Sequence, residues 1–128
     1  MIAERALVAR LEATAGVTAL VGQRIYAMSL TQAAAMPAIT YQKISPGLLH
    51  TMQTALPVAR PRLQVNCWAD TYSVAKAVAG QVRNALNGYD DGTVAAMIID
   101  ERDLLNPDSL RECVSQDYAI WERRESNE

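Results

Sequence analysis

The spacing of apolar residues changes from a period of two to steps of three and four within one continuous stretch in the middle of the chain. Between Leu63 and Ala69 every second residue is apolar, a pattern typical of a half-buried strand. Asp70 can then cap the first turn of a helix, and Asn87-Gly88 can end it. The stretch therefore predicts a strand that leads directly into a helix, whose buried stripe consists of Tyr72, Ala75, Ala79, Val82 and Leu86.

Four further segments have the pattern of a regular element. They are a helix from Ile2 to Ala15 that Gly16 ends, and strands from Ala38 to Ser45, from Thr93 to Asp103 and from Leu110 to Arg123. A short helical turn at Val17–Gly22 and a brief extended piece at Arg24–Tyr26 lie between the first helix and the first long strand. The strand that starts at Thr93 begins apolar on both faces, which predicts a central position in the sheet.

The order of the main elements is helix, strand, strand, helix, strand, strand. Strands that follow one another without an intervening helix pair antiparallel. The sequence therefore predicts an α+β fold, an antiparallel sheet of about four strands with two main helices packed on it. Because 128 residues provide for one hydrophobic core, residues 1–128 are expected to form a single domain.

The connection between the first two long strands is long and apolar. It runs from Pro46 to Pro61, too long for a tight hairpin turn, and is predicted to be a loop. An apolar loop of this length usually has a partner. Its candidate contact residues are Leu48, Leu49, Met52 and Leu56.

The second main helix has another face, on the side away from its buried stripe, that carries only small or short side chains. A glycine in a helix interior costs about 1 kcal/mol relative to alanine, a cost that is more readily understood where another backbone approaches. This face, together with the apolar loop, predicts self-association. Its candidate contact residues are Ser73, Ala77, Gly80 and Asn84.

Composition and charge exclude several classes of function. The formal net charge is −2 with the signs interspersed, so no basic stripe supports an independent nucleic-acid-binding role. Neither a membrane-spanning segment nor a secretory signal is expected, because no apolar run approaches 18 residues and charged residues interrupt the N-terminal segment. The two cysteines are expected to be reduced thiols in a cytosolic setting.

Catalytic and metal-binding motifs are missing from the sequence. The single histidine, His50, has no acidic residue near it in sequence, and Asp90-Asp91-Gly92 has the composition of a turn instead of a calcium loop. The acidic run at residues 100–103 is interpreted as a solvated strand end, and Cys67 and Cys113 as small buried residues. No catalytic residue, cofactor or metal site is therefore predicted. Two alternatives stay open: a small cytosolic enzyme using Asp100 or Glu101 with His50, and an α+β module that binds a small ligand.

Four segments, in this order along the chain, resemble the tail completion proteins of long-tailed bacteriophages, also called tail terminator or tail-to-head joining proteins. The segments are Gly16–Tyr26, Pro37–Ser45, Arg62–Leu86 with its Cys67-Trp68-Ala69, and Arg111 followed by Asp117-Tyr118 and Trp121. Together they extend over nearly the whole chain, and the second and third are the clearest.

The resemblance implies a structural virion protein that catalyses no reaction. Members of this family are expected to form a ring, commonly a hexamer, that sits on the end of the tail tube, terminates its polymerisation and joins it to the head. The implied partners are further copies of the chain, the tail tube protein and a head connector or stopper protein. DNA would pass through the ring without specific binding. The implied location is the virion, and the host cytoplasm during assembly. A stopper or adaptor of the head-tail connector is the nearest alternative.

Overall fold

The computed structural model of the chain describes residues 2–28, 35–45, 48–50, 55–104 and 112–123. Three helices are present in these residues: α1 (Ile2–Ala13), α2 (Ala15–Val21) and α3 (Tyr72–Leu86). The strands there are β1 (Ile25–Ala27), β2 (Ala38–Ser45), β3 (Leu48–His50), β4 (Ala55–Ala59), β5 (Arg62–Ala69), β6 (Val94–Leu104) and β7 (Glu112–Arg123). The predicted α+β class is confirmed, and the four long strands are the four that the sequence predicts.

The strands of the described part of the chain form one sheet in the order β1-β2-β5-β7-β4-β3, with β6 paired to the other side of β7. β4 and β5 lie end to end along the same side of β7, since β5 pairs with residues 112–119 and β4 with Glu122 and Arg123. The pairs are antiparallel except for β1 and β2, which run parallel. The sheet is therefore mixed at this edge instead of purely antiparallel.

The core lies between one face of the sheet and the helices. Side chains of β5 alternate as predicted, so that Leu63, Val65 and Cys67 are buried against the helices. Tyr118 of β7 is fully buried in the same cluster. The buried stripe of α3 is confirmed at Ala75, Ala79, Val82 and Leu86.

Two details of α3 differ from the prediction. Tyr72 is 47% exposed instead of buried, because its hydroxyl reaches past the first turn and donates to Asp103 Oδ2 at 2.8 Å. The N-terminal cap is Thr71, whose side chain accepts from the Val74 amide at 3.4 Å, and not Asp70. The end of the helix agrees with the prediction, since Asn87 is the C-cap and Gly88 has a φ of 82°.

The first helix ends two residues earlier than predicted, and Gly16 does not end it. Thr14 separates α1 from α2, and Gly16 lies in the first turn of α2. A Cβ at Gly16 would clash with the side chain of Gln81 on α3. The atoms that a Cβ would meet belong to the flexible end of Gln81, which can move aside, so this contact does not by itself require glycine. The helical segment ends instead at Gly22, which has a φ of 59°.

The predicted loop from Pro46 to Pro61 is wrong in its described part, because β3 and β4 lie within it and pair antiparallel. We call this hairpin, residues 48–59, the arm. The predicted central position of β6 is also wrong, since β6 pairs with β7 alone among the described strands. Its outer side is instead occupied by the connection from α3: the Gly88 amide donates to the Ala96 carbonyl and the Ala96 amide to the Tyr89 carbonyl, each at 2.9 Å.

Candidate assembly surface

The outer face of α3 carries the four residues that the sequence singles out. Ser73, Ala77, Gly80 and Asn84 are all exposed. A Cβ built at Gly80 would meet no atom within 4 Å, so no contact within the described chain requires glycine there. The four residues form a smooth strip, which we call the α3 strip.

The α3 strip is flanked by cations that are already paired. Arg83 contacts Glu101 of β6 at 2.7 Å, and Lys76 contacts Glu101 at 3.3 Å and Asp103 at 3.2 Å. Because these contacts neutralise the flanking charges, the strip presents an uncharged surface bordered by ion pairs.

A chain of hydrogen bonds beneath α3 fixes the helix to the sheet. Tyr118 donates its hydroxyl proton to Gln116 Oε1 at 2.7 Å, and Gln116 Nε2 donates to the Ala79 carbonyl at 2.9 Å and to Glu101 Oε1 at 2.8 Å. Burial by itself would raise the pKa of Glu101, but the hydrogen bond from Gln116 and the ammonium of Lys76 outweigh it and lower that pKa. Sequence reasoning treated Glu101 as solvated and missed this network.

The arm is joined to the body of the protein by a short contact. In the described residues β4 pairs with β7 only through Val58 and Ala59, opposite Arg123 and Glu122. Residues 55–57 therefore extend past the described end of β7. The backbones of Leu48, Leu49 and Leu56 lie within the strands of the arm, whereas Met52 lies outside the described residues.

The structure separates the residues of the enzyme alternative. Glu101 pairs with Gln116, whereas the arm that contains His50 joins β7 at Glu122, about 20 Å further along a strand that rises about 3.4 Å per residue. Asp100 is engaged by Arg102, whose Nη1 lies 2.9 Å from Asp100 Oδ2. In the described residues the strand register therefore gives no pair between His50 and either Asp100 or Glu101.

The two cysteines cannot form a redox pair with each other. Cys67 is opposite Val114 and Trp68 is opposite Cys113, so the two thiols project from opposite faces of the sheet. Burial raises the pKa of both thiols, that of Cys113 to about 12. Both are free and buried, in agreement with the structural role predicted for them.

The Asp90–Gly92 segment is a turn, as the sequence predicts. Asp91 Oδ1 accepts from the amides of Thr93 at 2.8 Å and Val94 at 2.7 Å, and these bonds lower the pKa of Asp91. Across the described residues, histidine, cysteine and acidic side chains do not gather in groups of three that could hold a metal ion. Of the described helices, none has the length and apolar character needed to cross a membrane.

Two apolar patches lie at opposite edges of the sheet, and the sequence did not reveal them as surfaces. Met28 and Ile44, 66% and 47% exposed, form the β2-edge patch. Met97 and Ile99, 57% and 47% exposed, form the β6-edge patch, with Trp121 of β7 on the diagonal from Met97. The only sequence signal was the second apolar face of β6, which predicted a central position in the sheet.

The fold and surface together define a small α+β protein with helices on one side of a mixed sheet and apolar side chains exposed at both sheet edges, features typical of chains that associate. The family model for tail completion protein gp17 matches residues 5–123. The chain belongs to this family of phage tail completion proteins.

A solved structure gives the same fold. It is a chain of the virion of a native gene transfer agent particle, with a TM-score of 0.71 and 16% sequence identity, and the match covers 91% of each chain. At 16% identity this match shows that the two chains share a fold. A comparison with curated proteins gave no match. The resemblance drawn from the four sequence segments is thus confirmed, and the chain is a structural protein of a phage-like tail.

Proposed function

We propose that the chain forms a ring, and that this ring caps the tail tube and joins it to the head. The observation that carries the proposal is the family match over residues 5–123, nearly the whole chain. The ring stops tube polymerisation, and six copies is the number that the family resemblance favours. The other partners are the tail tube protein and a head connector or stopper.

The surfaces support association with more than one kind of neighbour. The α3 strip is smooth and uncharged, and in the described residues the arm pairs with β7 only through Val58 and Ala59. A ring needs two different surfaces on each subunit that meet head to tail, and additional surface for the tube and the connector. We assign the strip and the arm, with Leu48, Leu49, Met52 and Leu56, to these contacts.

A conduit for DNA should hold DNA weakly. Phosphate binding requires clustered lysine and arginine, and each neutralised phosphate adds to the affinity. The net charge of −2 and the ion pairs that occupy Lys76, Arg83 and Arg102 are consistent with passage of DNA without specific binding.

Electron microscopy of particles made without this protein tests the role. Overlong tails, or tails without heads, are expected if the ring terminates the tube. Tails of normal length beside DNA-filled heads would instead favour a stopper or adaptor. Tailed particles that are complete and infectious would contradict both roles.

Two substitutions of Gly80 distinguish an effect on the stability of the monomer from an effect on its assembly. Replacing Gly80 by Ala is expected to raise the free energy of unfolding by about 0.5–1 kcal/mol, because a helix favours alanine and the added Cβ meets nothing. Gly80→Leu should fold as well but reduce assembly into particles, because the larger side chain keeps a partner backbone away. Urea unfolding and particle yield measure the two effects.

The matched control is Ala19→Leu, at an exposed position of α2. It adds a similar side chain to another helix and should leave particle yield unchanged. Equal particle yields for Gly80→Leu and the wild type would show that the α3 strip is not a contact surface.

A further inference from the structure

The arm strand β4 and the strand β5 follow β7 in one register. The pairs that define this register are Val58–Arg123, Ala59–Glu122 and Arg62–Ala119. The same register places Arg60 opposite Trp121 of β7. It also places Pro61 opposite Ile120. The arm is therefore a continuation of β5 along β7, and Arg60 and Pro61 form the joint between the two.

Pro61 weakens the backbone ladder at this joint. The Ile120 amide donates to the Pro61 carbonyl at 2.9 Å. A hydrogen-bonded pair of antiparallel residues normally exchanges two such bonds, one in each direction. Proline has no N–H, so it cannot donate to the Ile120 carbonyl in return. One ladder bond is therefore impossible at the point where the arm leaves the body.

A contact between two side chains lies at the same joint. The Arg60 guanidinium is placed over the Trp121 ring, with its Cζ 4.1 Å from the ring centroid. Because the pair at Ile120 is a hydrogen-bonded one, the pair of Arg60 and Trp121 next to it is of the non-hydrogen-bonded kind, whose side chains lie closer together. Tryptophan is also the aromatic side chain that attracts a cation most strongly. The two strands are thus held together by side chains where the backbone lacks a bond.

We propose that Arg60 and Trp121 are positioning residues that hold the arm in line with β5, in place of the bond that Pro61 cannot make. Beyond the joint, in the described residues, only Val58 and Ala59 pair the arm with β7, so few other contacts fix its direction. An arm that is already held in one direction loses less conformational freedom when it meets a neighbour. The contact is a property of the single chain and does not require the proposed ring.

Hydrogen exchange of the backbone amides, followed by mass spectrometry on the full chain diluted to a monomer, tests this role. Arg60→Ala should accelerate exchange in β4 by roughly 3- to 30-fold, the equivalent of about 0.5–2 kcal/mol for a cation over an aromatic ring. Exchange in β5 should stay at the wild-type rate, because the loss is local. The matched control is Arg62→Ala, the next arginine on the same face, which is exposed and lies opposite Ala119. It should leave exchange in β4 unchanged.

Substitutions of Trp121 complete a double-mutant cycle. Trp121→Leu should accelerate exchange in β4 as Arg60→Ala does, whereas Trp121→Tyr keeps an aromatic ring beneath the guanidinium and should retain much of the protection. The double variant Arg60→Ala with Trp121→Leu should exchange no faster than the faster single variant, because both remove the same contact. Wild-type rates in β4 of Arg60→Ala, single effects that multiply in the double variant, or equal acceleration of β4 and β5 would each overturn the proposal.

The yield of particles separates the positioning of the arm from its proposed use in assembly. Arg60→Ala is expected to lower the yield, because a less ordered arm meets its neighbour less often in the required direction, and Arg62→Ala should leave the yield unchanged. Faster exchange in β4 together with a wild-type yield would support the role of Arg60 and contradict the assignment of the arm to assembly contacts.

Discussion

Replacing Gln116 by Leu is expected to lower the free energy of unfolding by about 2–3 kcal/mol. Gln116 is fully buried, and its amide group takes part in three hydrogen bonds, to Tyr118, the Ala79 carbonyl and Glu101. Leucine fills a similar volume but leaves the buried Tyr118 hydroxyl without an acceptor. Urea unfolding, followed by circular dichroism, measures the change.

A double-mutant cycle isolates the Tyr118–Gln116 bond. Tyr118→Phe alone leaves Gln116 Oε1 unpaired, whereas the double variant removes both partners of the bond. The double variant should therefore lose less stability than the sum of the two single variants. Simple additivity of the two losses would contradict the coupling.

Replacing Glu101 by Ala is expected to cost about 2 kcal/mol at neutral pH, because a partly buried carboxylate with three partners disappears. Since the folded state lowers the pKa of Glu101, its contribution is fully present above the ordinary glutamate pKa, about 4.3, and is lost as the pH falls through the folded value. The stability of the wild type should thus fall in acid.

Glu101→Gln is the matched control for this pH dependence. It keeps the size and an acceptor oxygen but does not titrate, so the difference in stability from the wild type should narrow as the pH falls below about 4.3. Urea unfolding at neutral and acidic pH gives this difference. A constant difference across that range would show that Glu101 is not held ionised by Gln116, Lys76 and Arg83.

The unit formed by β5 and α3 could be predicted because both of its periods are long and regular. The strand pattern has seven residues in strict alternation, and the helix pattern has five apolar residues at steps of three and four. Together they allowed only a strand followed by a helix, and the predicted ends of both elements agree with the structure to within a residue. The N-terminal cap of α3 was predicted wrongly, because two adjacent polar residues, Asp70 and Thr71, were candidates for it. Both can accept a hydrogen bond from the first turn.

The role of Glu101 could not be predicted because the register of β6 shifts between Ile98 and Asp100. Up to Ile98 the even-numbered residues face the helices. After the irregularity Glu101 and Asp103 face α3 instead, which is where they contact Lys76. An extra residue in a strand reverses the faces of all residues after it, and alternation in the sequence does not locate that residue.

The arm was missed because its strands are short and pair far from their position in the chain. β3 has three residues and β4 has five, including Pro57, and their apolar residues do not alternate. The apolar character of the segment was noticed correctly, but its backbone structure depends on Glu122 and Arg123 of β7. The two edge patches depend likewise on which strands have no outer neighbour, which is a property of the topology.

The segment from Asn87 to Asp91 lies along the outer side of β6 and limits how other chains can pair with that strand. An exposed strand is a template on which further chains can add as strands, the first step towards fibres. Here the amides of Ala96 and Ile98 are already bonded to that segment, and charged residues follow at 100–103. The outer side of β6 is thus closed to the addition of a further strand at these positions.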